Sequence, residues 1–207
     1  MPSLGILGGS FNPPHLGHLA LARDARRELA LERVLLMPLH TPPHKPGGED
    51  PGPEHRLAMC RLAAAPEAGV EACALEVERG GPSYTADTLS EIDAACPESE
   101  LTFIVGADTA LSLPEWREPA RVLSLARLAV ASRPGSDRSQ VQAALARVSL
   151  PDGRSPDVVF LSMEPLEASS SQARERIATG RSVAGLLEPA VIAYIEEHGL
   201  YGEERSG

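Results

Sequence analysis

The sequence predicts an α/β protein built on one doubly wound, mainly parallel sheet with helices on both faces. Three observations carry this expectation. Short apolar runs recur along the chain, helical patterns separate them almost throughout, and glycine turns follow several of the runs. Such alternation calls for right-handed crossovers and parallel neighbours, with ligands bound beyond the carboxyl ends of the strands.

Taken in order, Leu4 to Leu7 reads as the first strand, and Gly8-Gly9 delivers it to a helix over 18–30. Val34 to Leu39 is the second, followed by a Pro/Gly-rich loop over 40–53 and a helix over 53–65. The run Val70 to Val77 reads as a third strand, leading through Gly80-Gly81 to a helix over 85–95. Ser83 or Thr85 offers that helix an N-cap, and Asp87 complements its dipole. Leu101 to Val105 is the fourth strand, ended by Gly106 with Asp108 as a cap, and a helix follows over 118–125. Leu128 to Ala131 and Val158 to Leu161 flank a second Pro/Gly-rich loop, 133–137, and a helix over 138–148. Helices over 170–179, capped by Ser169 or Ser170, and over 189–198 complete the pattern.

With 207 residues, 43% of them hydrophobic, the chain can bury one substantial core. A single domain over 1–207 is expected, with C-terminal helices from 165 to 200 packed on it. The start of the chain lacks the basic-then-apolar order of a signal peptide, and no apolar run is long enough for a bilayer. A cytoplasmic protein without membrane contact is expected. Cys60, Cys73 and Cys96 are odd in number and widely spaced, which suits packing better than disulfides or a redox pair. A formal charge of −10 argues against nucleic acid, which needs clustered cations. Lys45 is the one lysine beside eighteen arginines, set in a loop just after the second strand. It is either a stray surface charge or a cation able to close over phosphates. A homo-oligomer is compatible with the sequence.

The chemistry concentrates in Gly8-Gly9-Ser10-Phe11-Asn12-Pro13-Pro14-His15-Leu16-Gly17-His18. Glycines let a backbone approach a ligand, and the following helix start offers unpaired N–H groups and a positive dipole end. His15 and His18, three positions apart, point the same way if both lie on the first turn. A metal site is disfavoured because no nearby Cys or acidic third ligand accompanies them. Ser10 as a hydrolase nucleophile lacks a GxSxG frame and an acid three residues before His198. The stretch matches neither GxGxxG nor a Walker loop. Elsewhere, the N–H groups of Tyr84 and Thr85 suit a carboxylate, and the flat face of Trp116 suits a heteroaromatic ring. Hydroxyls at Ser169 to Ser171, with Arg174 one turn on, suit a phosphate chain.

The first run resembles the GG[ST]F[DN]PxHxGH signature of the HxGH nucleotidylyltransferase superfamily, which transfers AMP or CMP from a nucleoside triphosphate. Ala168-Ser169-Ser170-Ser171-Gln172-Ala173-Arg174 is similar to that superfamily's ISSTxIR motif, with Ala168 and Ala173 for two isoleucines and Ser171 for threonine. Adding PPHK, PSYTADTL, GADT, the Leu-Pro-x-Trp loop and SRPG, the chain resembles the bacterial nicotinate-nucleotide adenylyltransferases from Leu4 through Tyr201. Phosphopantetheine adenylyltransferases share the first and last elements but carry Thr where His15 stands.

The resemblance implies ATP and nicotinate mononucleotide as substrates. It implies ATP contacts from Gly8, Gly9, Ser10, Phe11, Gly106, Asp108, Ser169, Ser170 and Ser171. His18 would meet the α-phosphate with His15 beside it, and Lys45 and Arg174 would bind the outer phosphates. Mg²⁺ would ride on the triphosphate and water rather than on protein side chains. The acceptor's ring would stack near Trp116, with its carboxylate toward Tyr84 and Thr85. Pattern alone leaves nicotinate and nicotinamide acceptors both open.

Overall fold

The structure, a computed structural model, describes residues 2–41, 50–132, 138–162 and 168–202. At its centre lies β1 (Ser3–Gly9), whose run of small and aliphatic residues fits a strand covered on both faces. It pairs in parallel with β2 (Arg33–Pro38) on one side, Ile6 opposite Leu35, and with β4 (Glu100–Gly106) on the other, Ile6 opposite Phe103. β3 (Val70–Ala72), β5 (Arg127–Ser132) and β6 (Val158–Ser162) extend the sheet to the order β3-β2-β1-β4-β5-β6, every pair parallel. This is the doubly wound arrangement that the alternation predicts.

Successive strand residues face opposite sides, and the core divides accordingly. Leu7, Ile104, Ala129 and Leu161 meet α1 (Leu16–Glu28), α2 (Pro53–Ala64), α8 (Ser170–Ala178) and α9 (Pro189–His198). Ile6, Phe103, Val105, Leu128 and Val130 meet α4 (Thr85–Ala95), α5 (Ala107–Ser112), α6 (Pro119–Leu125) and α7 (Arg138–Leu145). Cys60 is buried in the first layer, its thiol pushed up by burial, while Cys73 and Cys96 are half-buried; all three are free. Among the described residues, no helix is long and apolar enough to cross a membrane.

Four local expectations are corrected. The first helix begins at Leu16 rather than 18, so His15 is its N-cap. The third apolar run does not stay extended: after Cys73, Ala74 takes helical dihedrals and α3 (Leu75–Arg79) follows. In a strand Glu76 and Val77 would face opposite ways, whereas the helical turn buries both, with the Glu76 carboxylate accepting the Thr88 hydroxyl at 2.6 Å. Neither Ser83 nor Thr85 caps α4; Tyr84 holds that position through its backbone. Nor does Asp108 cap: Gly106 does, and Asp108 is the second residue of α5, a helix absent from the sequence reading. Ser169 caps α8 as expected, accepting the Gln172 N–H at 3.1 Å.

Candidate active site

β1 and β4 are neighbours, but β1 feeds α1 on one face while β4 feeds α5 on the other. The chain diverges there and leaves a crevice beyond the carboxyl ends of the two strands. The Gly8 to His18 run lies on one side of this point and Gly106 with Asp108 on the other.

His15 and His18 form a stacked pair, with ring centroids 3.6 Å apart and planes inclined by 27°. Gly17 makes this fit, since a Cβ there would lie 3.0 Å from His15 Nδ1. The His15 backbone N–H donates to His18 Nδ1 at 3.1 Å. That bond decides the tautomer: with Nδ1 accepting, neutral His18 carries its proton on Nε2 and presents a donor there. The buried Phe11 ring stands edge-on to His18 at 4.8 Å, shielding one side.

Burial lowers the His15 pKa from 6.5 to about 4. His18 also falls well below 6.5, through burial first and the adjacent His15 second. Both rings are neutral at physiological pH, so the pair donates hydrogen bonds without carrying charge. An unfolded histidine takes up a proton as pH falls through 6.5, whereas folded His15 waits until about 4, so stability is lost on acidification across that window. We expect the urea midpoint to fall over this range, and to fall less steeply in His15→Gln. An unchanged slope in the variant would contradict the assignment.

The loop ahead of the histidines is held by residues distant in sequence. Arg56, fully buried on α2, donates to the carbonyls of Ser10 at 3.1 Å and His40 at 2.9 Å, to the Leu39 carbonyl, and to Asp50 Oδ1 at 2.9 Å. It thereby ties the ends of β1 and β2 together. Arg174 Nη1 donates to the Asn12 carbonyl at 2.7 Å, Ser170 Oγ to that of Pro13 at 2.8 Å, and the Leu16 N–H to Leu186 at 2.8 Å. Tyr201, buried near the end of the described chain, donates its hydroxyl to Asn12 Oδ1. Arg174 and Ser170 are among the site residues expected from the sequence. Arg56 and Tyr201 are not, because nothing in their local sequence separates them from an ordinary helix arginine and a packing aromatic.

On the opposite side of β1, a Cβ on Gly8 would lie 3.6 Å from the Phe103 ring, and Phe103 in turn meets Trp116 edge-on at 6.2 Å. Trp116 follows a short 3₁₀ turn, Leu113–Glu115, and its Nε1 donates to Ser112 Oγ at 3.2 Å. Arg117 caps the Tyr84 ring at 4.4 Å and pairs with Asp87 at 3.4 Å, which joins the Trp116 loop to the start of α4. Thr85 opens that helix. Thus His15, His18, Ser169 to Ser171 and Arg174 gather on one face, Tyr84, Thr85 and Trp116 on the other. Lys45 lies outside the described residues.

Intramolecular contacts do not account for Gly8 and Gly9. Added Cβ atoms would meet neighbours at 3.6 Å and 3.4 Å, ordinary contact distances, and neither residue has a left-handed φ. Among the described residues no three His, Cys, Asp or Glu side chains converge on a point that could hold a metal. His198 is engaged by Tyr194, bonding its carbonyl at 2.9 Å and stacking at 4.0 Å, rather than by Ser10.

Comparison with known proteins places the chain in a family. Residues 6–176 match the family described as cytidylyltransferase-like, and the chain belongs to that family of nucleotidylyltransferases. Proteins named "probable nicotinate-nucleotide adenylyltransferase" from Roseiflexus sp. (strain RS-1) and Roseiflexus castenholzii are each 43% identical to it. The alignments cover 96% and 95% of this chain and 97% and 96% of theirs, so the chain falls among the nicotinate-nucleotide adenylyltransferases. The fold is that of Plasmodium falciparum nicotinic acid mononucleotide adenylyltransferase complexed with NaAD. That likeness has a TM-score of 0.78 at 17% identity and covers 97% of this chain and 98% of that one.

Proposed function

We propose that this protein transfers AMP from ATP to nicotinate mononucleotide, releasing pyrophosphate and forming nicotinate adenine dinucleotide, a step of NAD biosynthesis. The observation that carries the reading is the neutral His15–His18 pair, with a donor on His18 Nε2, at the divergence point between β1 and β4. Such a group places a preorganised hydrogen-bond donor where negative charge grows on a phosphate.

The acceptor's phosphate oxygen attacks the α-phosphorus, a new P–O bond forms, and the bond to the oxygen bridging the β-phosphorus breaks. That oxygen leaves with the electron pair as pyrophosphate. The nucleophile is already an anion, so positioning and charge stabilisation supply the catalysis. His18 would donate to the α-phosphate, and His15 would line the phosphate chain beside it. Ser169, Ser170, Ser171 and Arg174 would receive the outer phosphates with Lys45. Gly8, Gly9, Ser10 and Phe11 would pass close under the nucleotide, and Gly106 and Asp108 would face its ribose. The absence of crowding around Gly8 and Gly9 supports room kept for a ligand. Tyr84, Thr85 and Trp116 would take the acceptor's carboxylate and ring. Mg²⁺ would be brought in on the triphosphate, held by phosphate oxygens and water, where it would neutralise phosphate charge. We place the reaction in the cytoplasm, on a single-domain chain that engages neither nucleic acid nor membrane; a homo-oligomer is compatible with it.

The test is pyrophosphate release with ATP and three acceptors in parallel. Nicotinate mononucleotide is expected to exceed nicotinamide mononucleotide in kcat/KM by roughly tenfold or more, because N–H groups aimed at a carboxylate are left poorly paired by an amide. Phosphopantetheine should give no turnover. A preference for either alternative acceptor would replace the proposed substrate.

A further inference from the structure

Glu76 has no role in the chemistry above, yet it is a carboxyl group only 3% exposed, beneath the segment that begins α4. Its Oε1 accepts the Thr88 hydroxyl at 2.6 Å, and the Ser83 side chain lies beside the same carboxyl group. Both residues make further contacts. Thr88 Oγ1 also lies 3.3 Å from the Tyr84 carbonyl and accepts from Arg79 Nη2 at 2.9 Å. Ser83 Oγ accepts the His40 N–H at 2.9 Å, while the Ser83 N–H donates to the Thr41 carbonyl at 3.0 Å. One carboxyl group therefore holds Thr88, on the first turn of α4, from below, beside a Ser83 that is itself tied to the strand end at His40 and Thr41. Glu76 Oε2 is buried and carries no hydrogen bond of its own, so this arrangement costs stability, and a purely structural purpose would be better met by an apolar residue.

We propose that Glu76 is a positioning residue for the acceptor: through Thr88 it holds the first turn of α4, and with it the Tyr84 and Thr85 N–H groups, in the orientation that receives an acceptor carboxylate. This rests on the acceptor reading given above. Arg79, which also bonds Glu91 at 2.9 Å, holds Thr88 from the other side. Gln at position 76 keeps the shape and an acceptor oxygen, whereas Ala removes both.

Wild-type turnover with nicotinate mononucleotide tests the underlying reading by itself, and the variants are then compared in the same assay. In Glu76→Ala the KM for nicotinate mononucleotide is expected to rise about tenfold, with kcat and the KM for ATP within about threefold of wild type. Glu76→Gln should recover most of that loss. Thr88→Val, which removes the hydroxyl relay but leaves Glu76, should raise the same KM and decides the question if Glu76→Ala fails to fold. An acceptor KM within about twofold of wild type in the folded variants, or a loss confined to kcat or thermal stability, would overturn the proposal.

Discussion

His18→Ala is expected to lower kcat for pyrophosphate release by about 10²-fold or more, the usual effect of losing one donor to a developing phosphate or oxyanion charge. Its folded state should change little, because the hydrogen bond recorded for this ring is the one from the His15 backbone, and the helix keeps its start at Leu16. Since the donor is proposed to act in the transition state, kcat and kcat/KM should fall together while the KM for ATP moves little. His18→Asn, which offers an amide N–H in a similar place, should regain part of the rate. Near-normal turnover in His18→Ala would remove this residue from the mechanism. A change confined to KM would make it a ground-state contact.

The second large effect is on stability. Arg56→Met replaces the guanidinium with an apolar side chain and leaves the carbonyls of Ser10, Leu39 and His40 without their donor and Asp50 without its partner. Each unsatisfied group costs about 1–3 kcal/mol where it stays dry, and breaking a buried ion pair about 3–5 kcal/mol; because Asp50 is partly exposed, we expect roughly 3–4 kcal/mol in total. Arg56→Lys should recover little, since one ammonium on a flexible stem cannot span four acceptors that a planar fork reaches. Urea unfolding should show a lower midpoint at an unchanged slope. A loss under about 1 kcal/mol would mean that water replaces the guanidinium freely.

The two outcomes differ in how far each residue could be read beforehand. His15, His18, Ser169 and Arg174 sit where a strand end meets a helix start, and the physics of that junction is written in neighbouring residues. The sheet was legible for the same reason, because each strand is a short apolar run set off by its own turn. Arg56 reaches backbone atoms 16 to 46 positions away, and Tyr201 reaches Asn12 across 189 positions. No local pattern encodes such contacts. α3 escaped because five residues are too few for helical periodicity to appear, and its apolar side chains continue those of β3. The start of the first helix was misread by two residues because histidine is an uncommon N-cap, and here the cap is supported by a second histidine rather than by Ser, Thr or Asp.

The ties on the Asn12–Pro13 segment come from Arg174, Ser170 and Tyr201, while those on the strand ends come from Arg56. During synthesis the glycine and histidine run leaves the ribosome well before three of its anchors, Ser170, Arg174 and Tyr201. A nascent chain that has built β1 to β5 therefore carries the Gly8 to His18 run without those anchors. A product interrupted before Ser170 is expected to build most of the sheet yet to bind nucleotide poorly, which a pull-down on immobilised ATP would show.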